Sequence, residues 1–188
     1  MTDEQLLAAV QQGDMQSLGQ LVQRWERPLF RFVSRMVPAP DDAHDVCQET
    51  FLRVLDRSDR FRSGSRFSTW MYQIALNLCR DRARRTKRWG RIVDDRKEAP
   101  TETSPLPESA EGANPESDVH RGELAHAVQR GLMQLPPEQR EVLILKEYQG
   151  LKFKEIAEIL SCPESTVKSR MYYGLNGLKQ QLAGQGIV

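Results

Sequence analysis

Five residues near the end of the chain carry the first chemical signal. The hydroxyls of Ser165 and Thr166 can donate hydrogen bonds to phosphates, and Lys168, Ser169 and Arg170 follow directly. On the first turns of a helix, these side-chain types reach phosphate oxygens and base edges. A second signal lies upstream. Residues 80–91 contain Arg80, Arg82, Arg84, Arg85, Lys87, Arg88 and Arg91 against Asp81 alone. Such a run is a cationic track for a phosphate backbone. Catalytic patterns are weaker. His44, Asp45 and Cys47 are near neighbours on one predicted helix and point in different directions, which disfavours a triad. Cys47, Cys79 and Cys162, with His44, His120 and His126, form no zinc spacing. There is no Gly-rich phosphate loop. Neither a metal nor a cofactor is expected.

The first signal needs a helix to present it, and the surrounding pattern supplies one. Pro136-Pro137 starts a helix with Val142, Leu143 and Leu145 on its apolar side, and Gly150 ends it. Phe153, Ile156, Ala157 and Leu160 then fall at helical spacing. Ser161-Cys162-Pro163 breaks that helix, and a new one starts at Glu164 with Val167, Met171, Leu175 and Leu178 as its apolar positions. Two short helices joined by a three- or four-residue turn have helix-turn-helix geometry. The second of them is the one that enters a major groove. An ordinary helical hairpin has the same spacing, and Ala157, small at the helix crossing, together with the polar first turns, favours DNA.

The 188 residues suffice for one domain or two small ones. Charged residues make up 28% and hydrophobic residues 39%, which fits a soluble globular chain. No apolar run approaches the roughly 20 residues of a membrane span. The first residues, MTDEQLLAAVQQGD, are acidic and amphipathic, unlike a signal peptide. Separated cysteines, odd in number, suit reduced structural thiols in a cytoplasmic protein. The net charge of +1 conceals a dipole. The basic run is followed, over residues 94–118, by eight acidic residues against Arg96 and Lys97.

In chain order the pattern predicts only helices. A short one precedes Gly13. A longer one covers about 17–37, with Leu18, Leu21, Val22, Trp25, Leu29, Phe32, Val33 and Met36 on one stripe and Pro28 as a possible kink or break. A third runs to about residue 56, capped by Asp41 or Asp42. After a turn at Ser63-Gly64-Ser65, a fourth is capped by Ser68 or Thr69 and extends to about 87, with Trp70, Met71, Ile74, Ala75 and Leu78 on its apolar side. Residues 94–118, rich in Pro, Ser, Glu and Gly, read as a flexible acidic linker. A further helix over about 119–133 carries Leu124, Val128 and Leu132. The expected fold is all-α: two small helical domains, residues 1–93 and 119–188, joined by that linker, the second containing the helix-turn-helix.

Four pieces stand in a characteristic order: DAHDVCQETFLRV, FRSGSRFSTWMYQIALNLCRDRARR, the acidic linker, and LPPEQREVLILKEYQGLKFKEIAEILSCPESTVKSRM. In this order and spacing the chain resembles the extracytoplasmic-function (ECF) sigma factors of bacterial RNA polymerase. The resemblance covers nearly the whole chain and implies a non-enzymatic, cytoplasmic specificity subunit. It implies that Asp45, Gln48, Glu49 and Leu52 dock on a coiled coil of the largest catalytic subunit of core RNA polymerase. Asp45 and Glu49, four apart, share a helix face that could meet basic residues.

The resemblance further implies that Phe61 to Arg85 opens promoter DNA and reads its −10 element. Aromatic and polar side chains beside cations suit an unpaired strand, since stacking is worth roughly 1–3 kcal/mol per base. The implied contacts are Phe61, Phe67, Trp70, Tyr72 and Asn77, a loop of Ser63, Gly64 and Ser65, and phosphate holders Arg80, Arg84 and Arg85. Trp70 and Ile74 also suit a core, whereas Asn77 is a poor helix former among apolar neighbours. The helix-turn-helix is implied to read the −35 element through Glu164, Ser165, Thr166, Lys168, Ser169, Arg170, Tyr172 and Tyr173. Two positions depart from the commonest family pattern: Ser165 replaces a frequent glycine and Tyr173 a frequent arginine. An anti-sigma factor is an implied partner, and membrane insertion is not. A stand-alone duplex-binding repressor or activator is the competing reading, which the aromatic block beside the arginines disfavours.

Overall fold

A computed structural model describes residues 1–62, 64–93, 115–184 and 186, with side chains at 40, 87–93 and 115–121 outside that description. Every regular element among them is helical, and they form two compact units. In the first, α1 (Asp3–Gln11) begins with a reciprocal cap: Thr2 accepts from the Gln5 amide and the Gln5 side chain accepts from the Thr2 amide. Gly13, with φ +92, turns the chain into α2 (Met15–Met36), whose start is capped by Asp14. Pro28 lies inside α2 without breaking it. Leu21, Leu29, Phe32 and Val33 are fully buried on the expected stripe, while Leu18, Val22 and Trp25 are only half-buried.

The helix α3 (Pro40–Asp56) starts at a proline, and Asp41 and Asp42 sit within its first turn instead of capping it. A proline in the first turn costs no ladder bond, so the start moves ahead of the aspartates. A 3₁₀ turn, Ser58–Arg60, leads to α4 (Phe67–Val93). This helix begins before Ser68 and Thr69, which therefore do not cap it. Its Phe67 amide donates instead to Glu4 of α1 at 3.1 Å. Along α4, Phe67, Met71, Tyr72, Ile74, Ala75, Leu76, Leu78 and Cys79 are all buried. The reason is that α1, α2 and α3 all pack on it.

The second unit starts with α5 (Pro115–Gln134), four residues earlier than the sequence pattern placed it. Residues 94–114 of the expected linker lie outside the described residues. Leu132 of α5 is buried, but Leu124 is 43% exposed, so the core-facing stripe runs through Ala127 instead. The helix α6 (Pro137–Leu143) widens into a π-helical turn, Ile144–Tyr148, that ends at Gly150 with φ +65. Next come α7 (Phe153–Leu160), the turn Ser161-Cys162-Pro163, and α8 (Glu164–Gly184). Val167 and Met171 are buried as expected, but Leu175 is 47% exposed. Its expected place in the packing is taken by Gly174, against which Leu143 of α6 rests.

Candidate nucleic-acid interface

On the first unit, the expected strand-reading side chains separate into two groups. Phe67 and Tyr72 are core residues. Phe67 is fully buried, and Tyr72 is 2% exposed with its ring against Trp25 and Phe32. Burial pushes the Tyr72 phenol well above its ordinary range. Neither ring has a free face for a base, so both expectations are corrected: the packing of α1, α2 and α3 on α4 buries them. Trp70, Gln73 and Asn77, at i, i+3 and i+7, make the stripe that α4 leaves open.

That stripe forms one wall of a pocket of about 170 Å³, completed by Ile74 and by Arg53, Arg57 and Arg60. Phe61 is half-buried and packs on Trp70 with ring centroids 5.3 Å apart, holding the indole in place. Gly64 has φ +88, which suits glycine alone among common residues, and the Ser65 amide closes the turn on the Arg62 carbonyl at 3.1 Å. Ser63 lies outside the described residues. A pocket with an indole, two amides and three guanidiniums can hold a planar ring and an adjacent phosphate together.

The basic run does not act as one patch. Arg82 turns away to Asp42 and Asp45 of α3, and this pairing holds its guanidinium even more firmly protonated. Arg84 pairs with Asp81 but stays 73% exposed, Arg85 is exposed, and Arg80 is half-buried. The sequence pattern did not single out Arg53, Arg57, Arg60 or Gln73. The signal was present: 53 and 57 continue the helix row of Asp45 and Glu49, turning it from acidic to basic. Arg53 Nε donates to Glu49 at 2.8 Å.

On α3, Asp45, Gln48 and Leu52 are exposed in a strip, Leu52 by 61%, with Glu49 half-buried beside them. His44 stacks on Phe30 with ring centroids 4.5 Å apart. Cys47 is buried, and desolvation followed by the Glu26 charge pushes its thiol up to about 12. His44, Asp45 and Cys47 therefore face three different surroundings. Among the described residues no cluster of three His, Cys, Asp or Glu side chains could hold a metal. No described helix is long and apolar enough to cross a membrane.

On the second unit, α8 presents Glu164, Ser165, Lys168, Ser169, Tyr172 and Tyr173 to solvent, with Thr166 half-buried. Lys168 pairs with Glu164 at 2.8 Å and lies 5.8 Å from the centre of the Phe153 ring. Lys146 lies 5.0 Å from the same ring. Tyr172 and Tyr173 meet edge to face at 5.5 Å. Arg170 departs from expectation: it is half-buried and its guanidinium donates to Cys162 Sγ at 3.9 Å, toward the turn between the helices.

Residues 21–89 match Sigma-70 region 2 and residues 125–176 match Sigma-70, region 4. The ECF RNA polymerase sigma factor SigW of Bacillus subtilis is 34% identical over 175 residues, 92% of each chain. The ECF RNA polymerase sigma-E factor of Escherichia coli is 36% identical over 180 residues, 92% of this chain and 90% of that one. The chain belongs to the ECF sigma factors. It is an alternative sigma factor that directs promoter-specific transcription. The fold agrees. The sigma factor RpoE, in its co-crystal structure with the anti-sigma factor NepR from Bartonella quintana, gives a TM-score of 0.71 at 22% identity, covering 88% of this chain and 96% of that one. CnrH, in complex with the cytosolic domain of CnrY, gives 0.69 at 22% identity, covering 97% of each chain. In this ECF sigma factor the open pocket lies within the region 2 match and the exposed face of α8 within the region 4 match.

Proposed function

We propose that the N-terminal domain of this sigma factor, residues 1–93, docks on core RNA polymerase and captures an unpaired promoter base. The C-terminal domain, residues 119–188 as read from sequence and extended by α5 to residue 115, reads the upstream −35 element. The linker read from sequence, residues 94–118, joins the two, its last four residues opening α5. The chain works in the cytoplasm, without enzymatic chemistry of its own. Stacking and phosphate contacts supply the energy for holding the opened strand.

The observation that carries this reading is the pocket of Trp70, Gln73 and Asn77 beneath Arg53, Arg57 and Arg60. A base in a duplex has no free face, so an indole wall serves a melted strand better than a closed one. Phe61 packs on the indole wall, the loop of Ser63, Gly64 and Ser65 is assigned to the captured strand, and Arg80, Arg84 and Arg85 to its phosphates. Docking on the polymerase coiled coil is assigned to Asp45, Gln48, Glu49 and Leu52. Leu52 is 61% exposed in the same strip as Asp45 and Gln48, which leaves the strip accessible to a partner helix. Glu164, Ser165, Thr166, Lys168, Ser169, Tyr172 and Tyr173 face the upstream duplex, and Arg170 sets the turn. An anti-sigma factor is a further partner, supported by the pairing of RpoE with NepR.

The test combines the chain with core polymerase. Together they start transcription at a cognate promoter, while the chain alone binds that duplex weakly. Tight promoter binding by the chain alone would favour the repressor reading. Within the complex, Asn77→Ala reduces promoter opening more than polymerase binding. Equal losses in both would make Asn77 a structural residue.

A further inference from the structure

The connection between α3 and α4 is held at both ends by a third helix. Gln11 Nε2 of α1 donates to the Ser58 carbonyl at 2.6 Å, across 47 positions of sequence. Glu4 of α1 accepts from the Phe67 amide, across 63 positions. Residues 4 and 11 are seven apart, two helical turns, so they lie on one face of α1. Between the two anchors the chain carries Arg60, which lines the pocket, and Phe61, which packs on its Trp70 wall.

Neither anchor is needed to fold α1. Leu6, Leu7 and Val10 already bury its apolar side, and its own first turn is capped by Thr2 and Gln5. The Ser58 carbonyl lies in the 3₁₀ turn Ser58–Arg60, where the Arg60 amide donates to Arg57 and the Phe61 amide to Ser58. Anchoring that carbonyl, which also accepts from the Phe61 amide, holds the turn from which Arg60 and Phe61 leave. We propose that α1 is a brace for strand capture, with Gln11 and Glu4 as positioning residues that set Arg60 and Phe61 at the pocket. This rests on the strand-capture reading above. The brace acts by raising the fraction of molecules whose loop is already in its capturing arrangement, and the apparent affinity for an open strand scales with that fraction.

The experiment uses the complex of the full chain with core polymerase. Its probe is a promoter that the complex selects from a random library, prepared both as a duplex and with the −10 region mismatched into a bubble. Gln11→Glu keeps the size of the side chain and removes the N–H donor, and Gln11→Lys restores a donor with similar reach. Gln11→Glu lowers bubble affinity by about three- to tenfold, while the melting temperature and core affinity stay near those of the unaltered chain. Gln11→Lys recovers most of the loss. Unchanged bubble binding by Gln11→Glu would overturn the brace. So would a loss mirrored in core affinity and melting, or one that Gln11→Lys fails to recover. If the unaltered complex does not prefer bubble to duplex, the strand-capture reading falls, and the brace falls with it.

Discussion

The Arg82 guanidinium crosses from α4 to the Asp45 carboxylate on α3 at 3.0 Å, and its Nε donates to Asp42 at 2.8 Å. One member of the basic run thus fastens two helices instead of meeting phosphates, and it holds Asp45 of the strip proposed to dock on core polymerase. Hydrogen bonds to charged partners contribute roughly 1.5–3 kcal/mol, reduced here because Arg82 and Asp45 are substantially exposed. Arg82→Ala is expected to destabilise the N-terminal unit by about 1 kcal/mol and to weaken core polymerase binding. Arg85→Ala leaves melting unchanged and reduces the salt dependence of DNA binding. Thermal melts and polymerase titrations of the two variants separate these roles. Equal melting behaviour would remove the clasp.

The Glu4–Phe67 contact is expected to give the N-terminal unit an acid-dependent contribution to its stability. The Phe67 amide, more than any other group, holds the Glu4 carboxyl below its ordinary value of 4.5. A depressed folded value means that the unfolded chain takes up its proton first as pH falls. The contribution is therefore complete above about 4.5 and is lost as pH drops through the lower folded value. Glu4→Gln keeps an acceptor but abolishes this dependence. Glu4→Ala also removes the cap, at a cost of about 0.5–1 kcal/mol for a partly exposed site. Melting curves from neutral pH down to about 3 check both. A parallel acid response in Glu4→Gln and the unaltered chain would assign it to other carboxylates.

Periodicity made the all-α fold and the helix-turn-helix legible in the sequence, and the Pro-, Ser- and Glu-rich composition of residues 94–118 made the division into two helical units legible. It could not sort the aromatics of α4. That helix is packed by three others, so Phe67 and Tyr72 are as buried as Met71, and a one-stripe pattern has nothing to detect. Asn77 stood out as a poor helix former among apolar neighbours, and it lies on the stripe that α4 leaves open. The arginines of the pocket were visible but ambiguous, since Arg53 and Arg57 look like any solvated face until α4 lies beside them. Caps failed for a different reason. Ser68 and Thr69 were the local choices, and the actual acceptor for the Phe67 amide is Glu4, which no local pattern links to it.

Close helix contact in the second unit depends on Gly174. A Cβ placed there would lie 3.1 Å from Leu143 Cδ1, 3.3 Å from Leu143 Cγ and 3.4 Å from Gln139 Cβ. Leu143 is 2% exposed and has little room to retreat. Alanine there sets a helix-propensity gain of about 1 kcal/mol against this crowding. A branched residue gains less and crowds more. Gly174→Val is expected to destabilise the second unit by about 1–3 kcal/mol, read as lower amide protection over residues 115–184 by site-resolved hydrogen exchange. Protection equal to the unaltered chain would mean that α6 yields to the side chain.

The resemblance to ECF sigma factors implies an arginine at the position of Tyr173, which is 61% exposed with its ring against Tyr172. A guanidinium there would extend from the same face as Ser169, four residues earlier, and find a phosphate or guanine acceptor. Each phosphate neutralised on duplex DNA steepens the salt dependence of binding by about 0.9 in logarithmic slope. Tyr173→Arg is therefore expected to tighten binding of the polymerase-bound sigma factor to duplex carrying the −35 element several-fold at low salt, with the advantage shrinking as salt rises. Filter binding across a salt series measures both quantities. Weaker binding with an unchanged slope would instead make the tyrosine pair itself a contact surface for the duplex, with Tyr172 losing its position when its neighbour is changed.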